Sequence, residues 1–394
     1  VTAVEAPGGA PAGVTAGVGR TALLVAHARA LEARRSDPLA VDPYAEYFVR
    51  AAPGCADWPC DPSDVAPGDP VWDRLAGYFA LRTRVLDAHL LAAARAGTRQ
   101  IVLLGAGLDS RAHRLPWPTG TAVWELDRPA VLAFKQQVLD TLPPGPPATT
   151  ARSATPMAVA PAAATPRAVT ASAATTTSAG TPLVVTPRAV TPACVTTKAT
   201  TTPPFATPPS ATSTALLTPP PATRSASPTP PSATPRADRR TVPVDLRADW
   251  TTALRRSGFD PARPTAWLAE GLFLYLPAEA ELRIAAALDT LSAPGSTLAY
   301  EIKAEPENAA VRAHPIYTTA RDRLGIDLLA LFAPGPRPRT ADALTTLGWT
   351  TTTRTPFDHP TPRLSHRDPH DPLSANRWIT ATKTHPSTDH RIAG

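Results

Sequence analysis

The stretch VLLGAGLDSR, residues 102–111, decides how the rest of the chain is read. Ile101 to Leu104 is a β-favouring apolar run without alternation, the pattern of a strand buried on both faces of a parallel sheet. Gly105 and Gly107 follow at once and, lacking a Cβ, let the backbone turn sharply and approach a ligand. A dinucleotide site would continue to a third glycine, so that the next helix could receive a pyrophosphate at its N-terminus. Ser110 holds that place, and Asp109 puts a negative charge where phosphates would lie, which suits a cation instead.

Outward from this loop, strand and helix patterns alternate. Residues 21–35 (TALLVAHARALEARR) read as a helix stopped by Asp37-Pro38, and residues 74–97 as a second helix leading into the strand at 101. TAVWELD (121–127) is a second strand, and PAVLAFKQQVLDTL (129–142) a helix with Pro129 in its first turn. After residue 239 come strands at RTVPVDL (240–246), TAWLAEG (265–271) and STLAYEI (296–302). Helices lie between them, at 249–259 with Asp249 as N-cap and at 277–295. A helix at 340–349 precedes two β-like runs, TTTRTPF (351–357) and RWITATKT (377–384), with no helix between them, which predicts an antiparallel pair at one edge. The expected fold is α/β: a doubly wound, Rossmann-like sheet of seven strands, mostly parallel with an antiparallel edge.

Composition isolates one segment. The chain has 394 residues, 49 prolines and a formal charge of +6. Between Asp140 and Asp238 there is no acidic residue and almost nothing but Ala, Thr, Pro and Ser, with 21 of the prolines. Its charges are Arg152, Arg167, Arg188, Lys198, Arg224 and Arg236, six positives that equal the whole formal excess, so the remainder is neutral. A basic patch for nucleic acid is therefore not expected on the folded part. Phrases such as TPRAV recur at irregular spacing, and so little apolar bulk cannot offset chain entropy, which predicts a disordered insert. The expected organisation is a loose N-terminus at 1–17, the first part of one domain at 18–142, the insert at 143–238, the second part of that domain at 239–384, and a tail at 385–394.

Cys55 and Cys60 lie in a Pro-rich loop and Cys194 in the insert, so reduced thiols in a cytoplasmic protein are expected. No run of 18 apolar residues suggests a membrane span. His359, His366 and His370 have neither helical spacing nor neighbouring thiols, so no metal site is expected.

In a doubly wound sheet ligands sit beyond the carboxyl ends of the strands. The candidates gather there: Gly105, Ala106 and Gly107 after the first strand, Asp127 at the second, Asp245 and Leu246 at the third, Glu270 at the fourth. Asp127 lies 22 residues past Gly105, where a carboxylate can grip both ribose hydroxyls, or cap the helix that begins at Pro129. Glu125, deeper in the same strand, suits a buried partner role. With Asp109, the acids at 127, 245 and 270 make an anionic rim. On the second helix Leu75, Tyr78, Phe79, Leu86, Leu90 and Ala93 form an apolar stripe that also contains Arg82, an inward guanidinium that needs an anion, either a ligand carboxylate or one of the rim acids. Arg111 and Arg114 are expected near solvent. An adenosine with one carboxylate and a positive sulfonium-ammonium end fits this set, as in S-adenosyl-L-methionine.

These residues resemble bacterial S-adenosylmethionine-dependent methyltransferases of the leucine carboxyl methyltransferase-like family. The likeness is carried by ALEARRSDPLAVDPYAEYFV, LRTRVLDAHL, QIVLLGAGLDSRAHRLPWP, VWELDRPAVLAFK, VPVDLRADW and WLAEGLFLYLP, taken in that order, and is clearest over 18–142 and 239–302. It implies a class I methyltransferase fold in which Gly105 and Gly107 line the methionine and ribose portion and Asp127 binds the ribose. Asp245 and Leu246 would bracket the adenine, Glu270 sit by the amino group, and Arg82 meet the carboxylate. The acceptor would be a small molecule or a carboxylate. A carboxylate needs no general base; for other acceptors Tyr275, Glu270, His314 and Tyr317 are candidates. Two rivals are an NAD-dependent oxidoreductase and a non-enzymatic interaction protein acting through the insert.

Overall fold

The computed structural model describes residues 18–55, 58–59, 61–142, 237–304, 308–364 and 370–384. These belong to one compact unit formed by Val1–Thr155 with Pro231–Gly394; the second unit, Pro156–Pro230, falls wholly outside the described residues. The expectations for 1–17, for the insert up to residue 236 and for the tail therefore lie outside the described residues too.

Among the described residues seven strands form one sheet: β1 (Gln100–Leu104), β2 (Ala122–Asp127), β3 (Asp238–Pro243), β4 (Thr265–Ala269), β5 (Thr297–Lys303), β6 (Trp349–Arg354) and β7 (Asn376–Lys383). Their order is β3-β2-β1-β4-β5-β7-β6, with β1 to β5 parallel and β7 antiparallel to both of its neighbours. The last two strands do pair antiparallel, but β7 slots between β5 and β6. Burial explains the placement: β7 buries Trp378, Ile379 and Ala381, whereas the threonines of β6 are mostly exposed, as befits an edge.

The helices are α1 (Val18–Ala33), α2 (Ala45–Ala51), α3 (Ala76–Arg95), α4 (Arg111–Arg114), α5 (Pro129–Asp140), α6 (Trp250–Arg256), α7 (Ala278–Thr290), α8 (Ala309–Arg312), α9 (Pro315–Leu324), α10 (Leu328–Leu331) and α11 (Thr340–Thr346). A π-helical turn, Pro70–Leu75, runs into α3; the Asp69 carboxylate starts it by accepting from the N–H groups of Val71 and Trp72 at 2.9 and 2.8 Å. Asp249 caps α6 as the sequence predicts, accepting from Thr252 N–H at 3.1 Å. None of these helices is long and apolar enough to cross a membrane.

The sheet is buried on both faces. Ile101 and Leu103 of β1 pack with Leu86, Leu90 and Ala94 of α3, while Val102 and Leu104 pack with Trp124, Trp250, Trp267 and Ile284 on the other side. A third cluster joins α1, the π-helical turn, α3, α9 and α10 through Leu24, Trp72, Phe79, Ile316 and Leu328, making a helical cover over the carboxyl edge of the strands. The third strand starts earlier than its sequence suggests: Asp238, assigned above to the insert, pairs with Ala122, and the strand ends at Pro243. Asp245 accordingly sits in the turn beyond the strand.

Candidate active site

A cavity of about 430 Å³ opens along the carboxyl edge of the sheet, and Arg82, Gly105, Ala106, Gly107, Asp127, Asp245, Leu246 and Glu270 all line it. The first part is made of backbone. Gly105 and Gly107 adopt φ of 62° and 49°, the left-handed region where a side chain is strained. A Cβ on Gly105 would meet Leu272 Cδ1 at 3.1 Å, and one on Gly107 would meet the Ala22 methyl at 3.3 Å. The loop is tied to β2: Ala106 N–H donates to Leu126 O at 3.0 Å and Gly107 N–H to Asp127 Oδ2 at 2.6 Å. Arg128 N–H donates to Asp127 Oδ1 at 2.7 Å. The N-cap of α5 is Arg128, so Asp127 does not cap that helix with its side chain; it braces the glycine loop. Burial raises its pKa against the pull of those two N–H donors.

The second part is a network of charges, denser than the sequence suggested. Glu270 Oε1 accepts from Arg29 at 2.7 Å and forms an ion pair with Arg82 at 2.9 Å, and its Oε2 accepts from Arg111 at 2.5 Å. Burial would lift the Glu270 pKa, but Arg111, Arg29 and Arg82 overcome it and hold the carboxyl well below the usual range. Arg82 also pairs with Glu301, whose other oxygen accepts from Tyr78 Oη at 2.6 Å. Arg111 pairs with Asp109 and, at 2.6 Å, with Asp87; Arg114 meets Asp87 at 2.5 Å.

Three expectations change here. Arg111 and Arg114 are not near solvent: their side chains are 0% and 5% exposed, because Asp87 on α3 draws both inward. Asp109 is not a spare anion, since Arg111 neutralises it. The rim is not net anionic, because arginines stand between its acids. Arg82 meets one of the two kinds of anion expected for it, the rim acid Glu270, and Glu301 joins it. Glu125 behaves as expected, fully buried between Lys135 and Arg239, each at 2.8 Å.

Asp245 is half-exposed and turned by its own loop: it accepts from Arg247 N–H at 2.9 Å and pairs with the Arg247 guanidinium at 2.5 Å, which pulls its pKa down to about 2. Leu246 is half-buried against the core beside it. Of the base candidates, Glu270, Tyr275 and Tyr317 line the cavity. The described lining does not include His314, whose Nδ1 accepts from Ile316 N–H at 3.2 Å and caps α9.

Sequence reading missed Arg29, Glu301, Lys303 and Asn376, all of which line the cavity. Two of them carried a usable signal. Glu301 is an acid near the end of a buried strand, as Asp127 is, and Arg29 interrupts a helix whose neighbours Ala26, Ala28 and Ala30 are all buried. Asn376 had none, because its neighbour on the sheet lies some seventy positions away.

The model of the leucine carboxyl methyltransferase family matches residues 22–179 and 223–289. A Streptomyces coelicolor protein named as an S-adenosyl-L-methionine-dependent methyltransferase is 41% identical over 385 residues, covering 95% of this chain and 96% of the relative. One from Mycobacterium sp. (strain KMS), named likewise, is 39% identical over 295 residues, covering 73% and 68%. The crystal structure of a methyltransferase from Thermobifida fusca YX aligns with 92% of this chain and 94% of its own at 13% identity and a TM-score of 0.42, a likeness too loose to carry an argument about function.

Proposed function

The chain belongs to the leucine carboxyl methyltransferase family, and from that premise we propose that its S-adenosyl-L-methionine-dependent methyl transfer occurs in the cavity at the carboxyl edge of β1 to β5, toward a small-molecule or carboxylate acceptor. The observation that carries this reading is the convergence of the Gly105–Gly107 backbone, Asp127 and Glu270 on one cavity. The residues fit the cofactor. Asp127, braced by two N–H donors, keeps lone pairs for ribose hydroxyls. Leu246 offers an apolar face to a base. Two of the roughly four lone-pair directions of Glu270 are taken by guanidinium N–H donors, with Arg82 beside them at ion-pair distance, which leaves room for an ammonium. The buried Nε of Arg82 has no acceptor and can donate to a carboxylate.

When bound, the cofactor supplies an electrophilic methyl group on a positive sulfur. The chain's part is to orient and to exclude water, which α1, α9 and α10 do by covering the edge. A carboxylate acceptor would reach the methyl already ionised, with no proton to remove. A cytoplasmic setting, where this metabolite is made, belongs to the same reading. The NAD-dependent alternative gives way to family membership, and Ser110 stands where its third glycine would be. The interaction-protein alternative concerns a segment outside the described residues.

Calorimetric titration with S-adenosyl-L-methionine and with NAD tests the site. Wild type should bind the first and not the second, and Asp127→Ala should weaken binding by roughly ten- to a hundredfold, the worth of a hydrogen bond to a charged group. Equal, weak binding of both ligands by both proteins would overturn the reading.

A further inference from the structure

Arg82 is held by geometry as well as by charge. Its Nη1 donates to Glu301 Oε1, its Nη2 stands at ion-pair distance from Glu270, and its Cζ lies 4.8 Å from the ring centroid of Phe79, so the plane of the guanidinium is fixed. Its Nε is buried and has no acceptor. A carboxylate facing a guanidinium commonly grips it with both oxygens through two parallel N–H bonds. Glu301 does not. Its Oε2 is occupied by the hydroxyl of Tyr78, one turn earlier on α3, at 2.6 Å, so Glu301 holds Arg82 by one nitrogen only.

The direction of the Tyr78 bond is set from farther out. Trp378 Nε1 on β7 lies 3.2 Å from Tyr78 Oη, and an indole N–H can only donate. The hydroxyl therefore accepts from Trp378 and turns its single proton to Glu301. Burial, joined by the facing charge of Glu301, pushes the Tyr78 hydroxyl well above its ordinary range, which keeps that proton in place. The ring cannot swing away, because it is buried and stacked on Trp378 at 5.7 Å. Tyr78, Arg82 and Glu301 all line the cavity. A buried donor without an acceptor is uncommon, and here the hydroxyl withholds the oxygen that could crowd that side of the guanidinium.

We propose that Tyr78 is a positioning residue for the cofactor: by occupying Glu301 Oε2 it confines Glu301 to Nη1 and reserves the Nε and Nη2 edge of Arg82 for the carboxylate of the cofactor's amino-acid end. The proposal rests on the methyltransferase reading above. Without the hydroxyl, Glu301 turns its second oxygen to Nη2 and competes with the ligand for that nitrogen.

Calorimetry on the full chain tests this with S-adenosylhomocysteine and with 5′-methylthioadenosine, which has the nucleoside and the sulfur but no amino-acid end. Wild type should bind the first more tightly. Tyr78→Phe should weaken S-adenosylhomocysteine about tenfold, the worth of a hydrogen bond between charged groups, and leave 5′-methylthioadenosine within about twofold. Glu301→Gln has a single acceptor oxygen and cannot grip with two, so alone it should change S-adenosylhomocysteine affinity by less than about threefold, yet added to Tyr78→Phe it should restore most of the loss. Additive effects of the two substitutions would overturn the proposal. So would equal losses of both ligands in Tyr78→Phe, the mark of a purely structural role, or no loss of either; that comparison decides the matter even if the double variant does not fold. A wild type that binds both ligands equally would overturn the role of Arg82 and of Tyr78 with it. A wild type that binds neither would overturn the methyltransferase reading itself.

Discussion

At the β1–β3 end of the cavity the ligand-facing surface is largely main chain: two glycines in left-handed conformations, an N–H that braces Asp127, and a turn that holds Asp245. At the β5–β7 end it is side chains drawn from β5, α9, α10 and the start of β7. The first surface is made by residues close in sequence at successive strand ends, so local rules shape it. The second exists only because β7 returns beside β5 and the cover closes over both. Glu270, at the end of β4, stands where the two meet and is held by arginines from α1, α3 and α4. What differs between the ends is how far along the chain the contacts reach, and therefore which change should damage which end.

The largest expected effect falls at the junction. Glu270→Ala leaves three buried guanidiniums without their shared partner and should cost about 3–5 kcal/mol of unfolding free energy in denaturant titration. Asp245→Ala, which breaks a half-exposed pair with Arg247, should cost no more than about 1 kcal/mol. Similar losses for the two would mean that Glu270 is not the hub of the charge network.

The cover supplies the next contrast. His27 on α1 is buried against Trp72 at 4.1 Å and Trp58 at 5.3 Å, and burial lowers its pKa to about 3. The folded protein then binds fewer protons than the unfolded one, so stability present above pH 6.5 is lost as pH falls toward 3. Between pH 7 and pH 5 the loss from this group is about 2 kcal/mol. His89, lowered to about 4 by burial, acts in the same direction. In His27→Leu the difference in stability between pH 7 and pH 5 should shrink by about 2 kcal/mol, and hydrogen exchange at pH 5 should slow in α1 more than in β1. An unchanged pH dependence would remove His27 from the account.

The last contrast concerns the glycine loop. Gly107→Ala forces a side chain into a left-handed conformation and against the Ala22 methyl, at a cost of about 1–2 kcal/mol in thermal unfolding. Its loss of cofactor affinity should exceed that of Lys303→Met, since the second residue belongs to the other end. The reverse order would erase the distinction between the ends.

Much of the β1–β3 end is legible in the sequence. The apolar run at 101–104, the glycines and the acids at strand ends all follow from periodicity and from the lack of a Cβ, and each sits where alternation of strand and helix puts it. The pairing of these acids was not legible. Arg111 reads as a surface residue after a turn, and only the approach of Asp87 from α3 shows that it is buried. Arg82 was seen to need an anion, yet the stripe of α3 could not reveal that Glu301 would be that anion, 219 positions away.

Sequence by itself determined the class of sheet, the backbone cradle and the family, because each is written in short-range pattern: strand period, positive φ and the order of motifs. Tertiary structure alone decided that β7 lies inside the edge strand β6, that three arginines share Glu270, and that Lys303 stands beside Asn376. Those outcomes depend on which distant side chains can be buried together and neutralised, a balance of desolvation against pairing that no local window of residues contains.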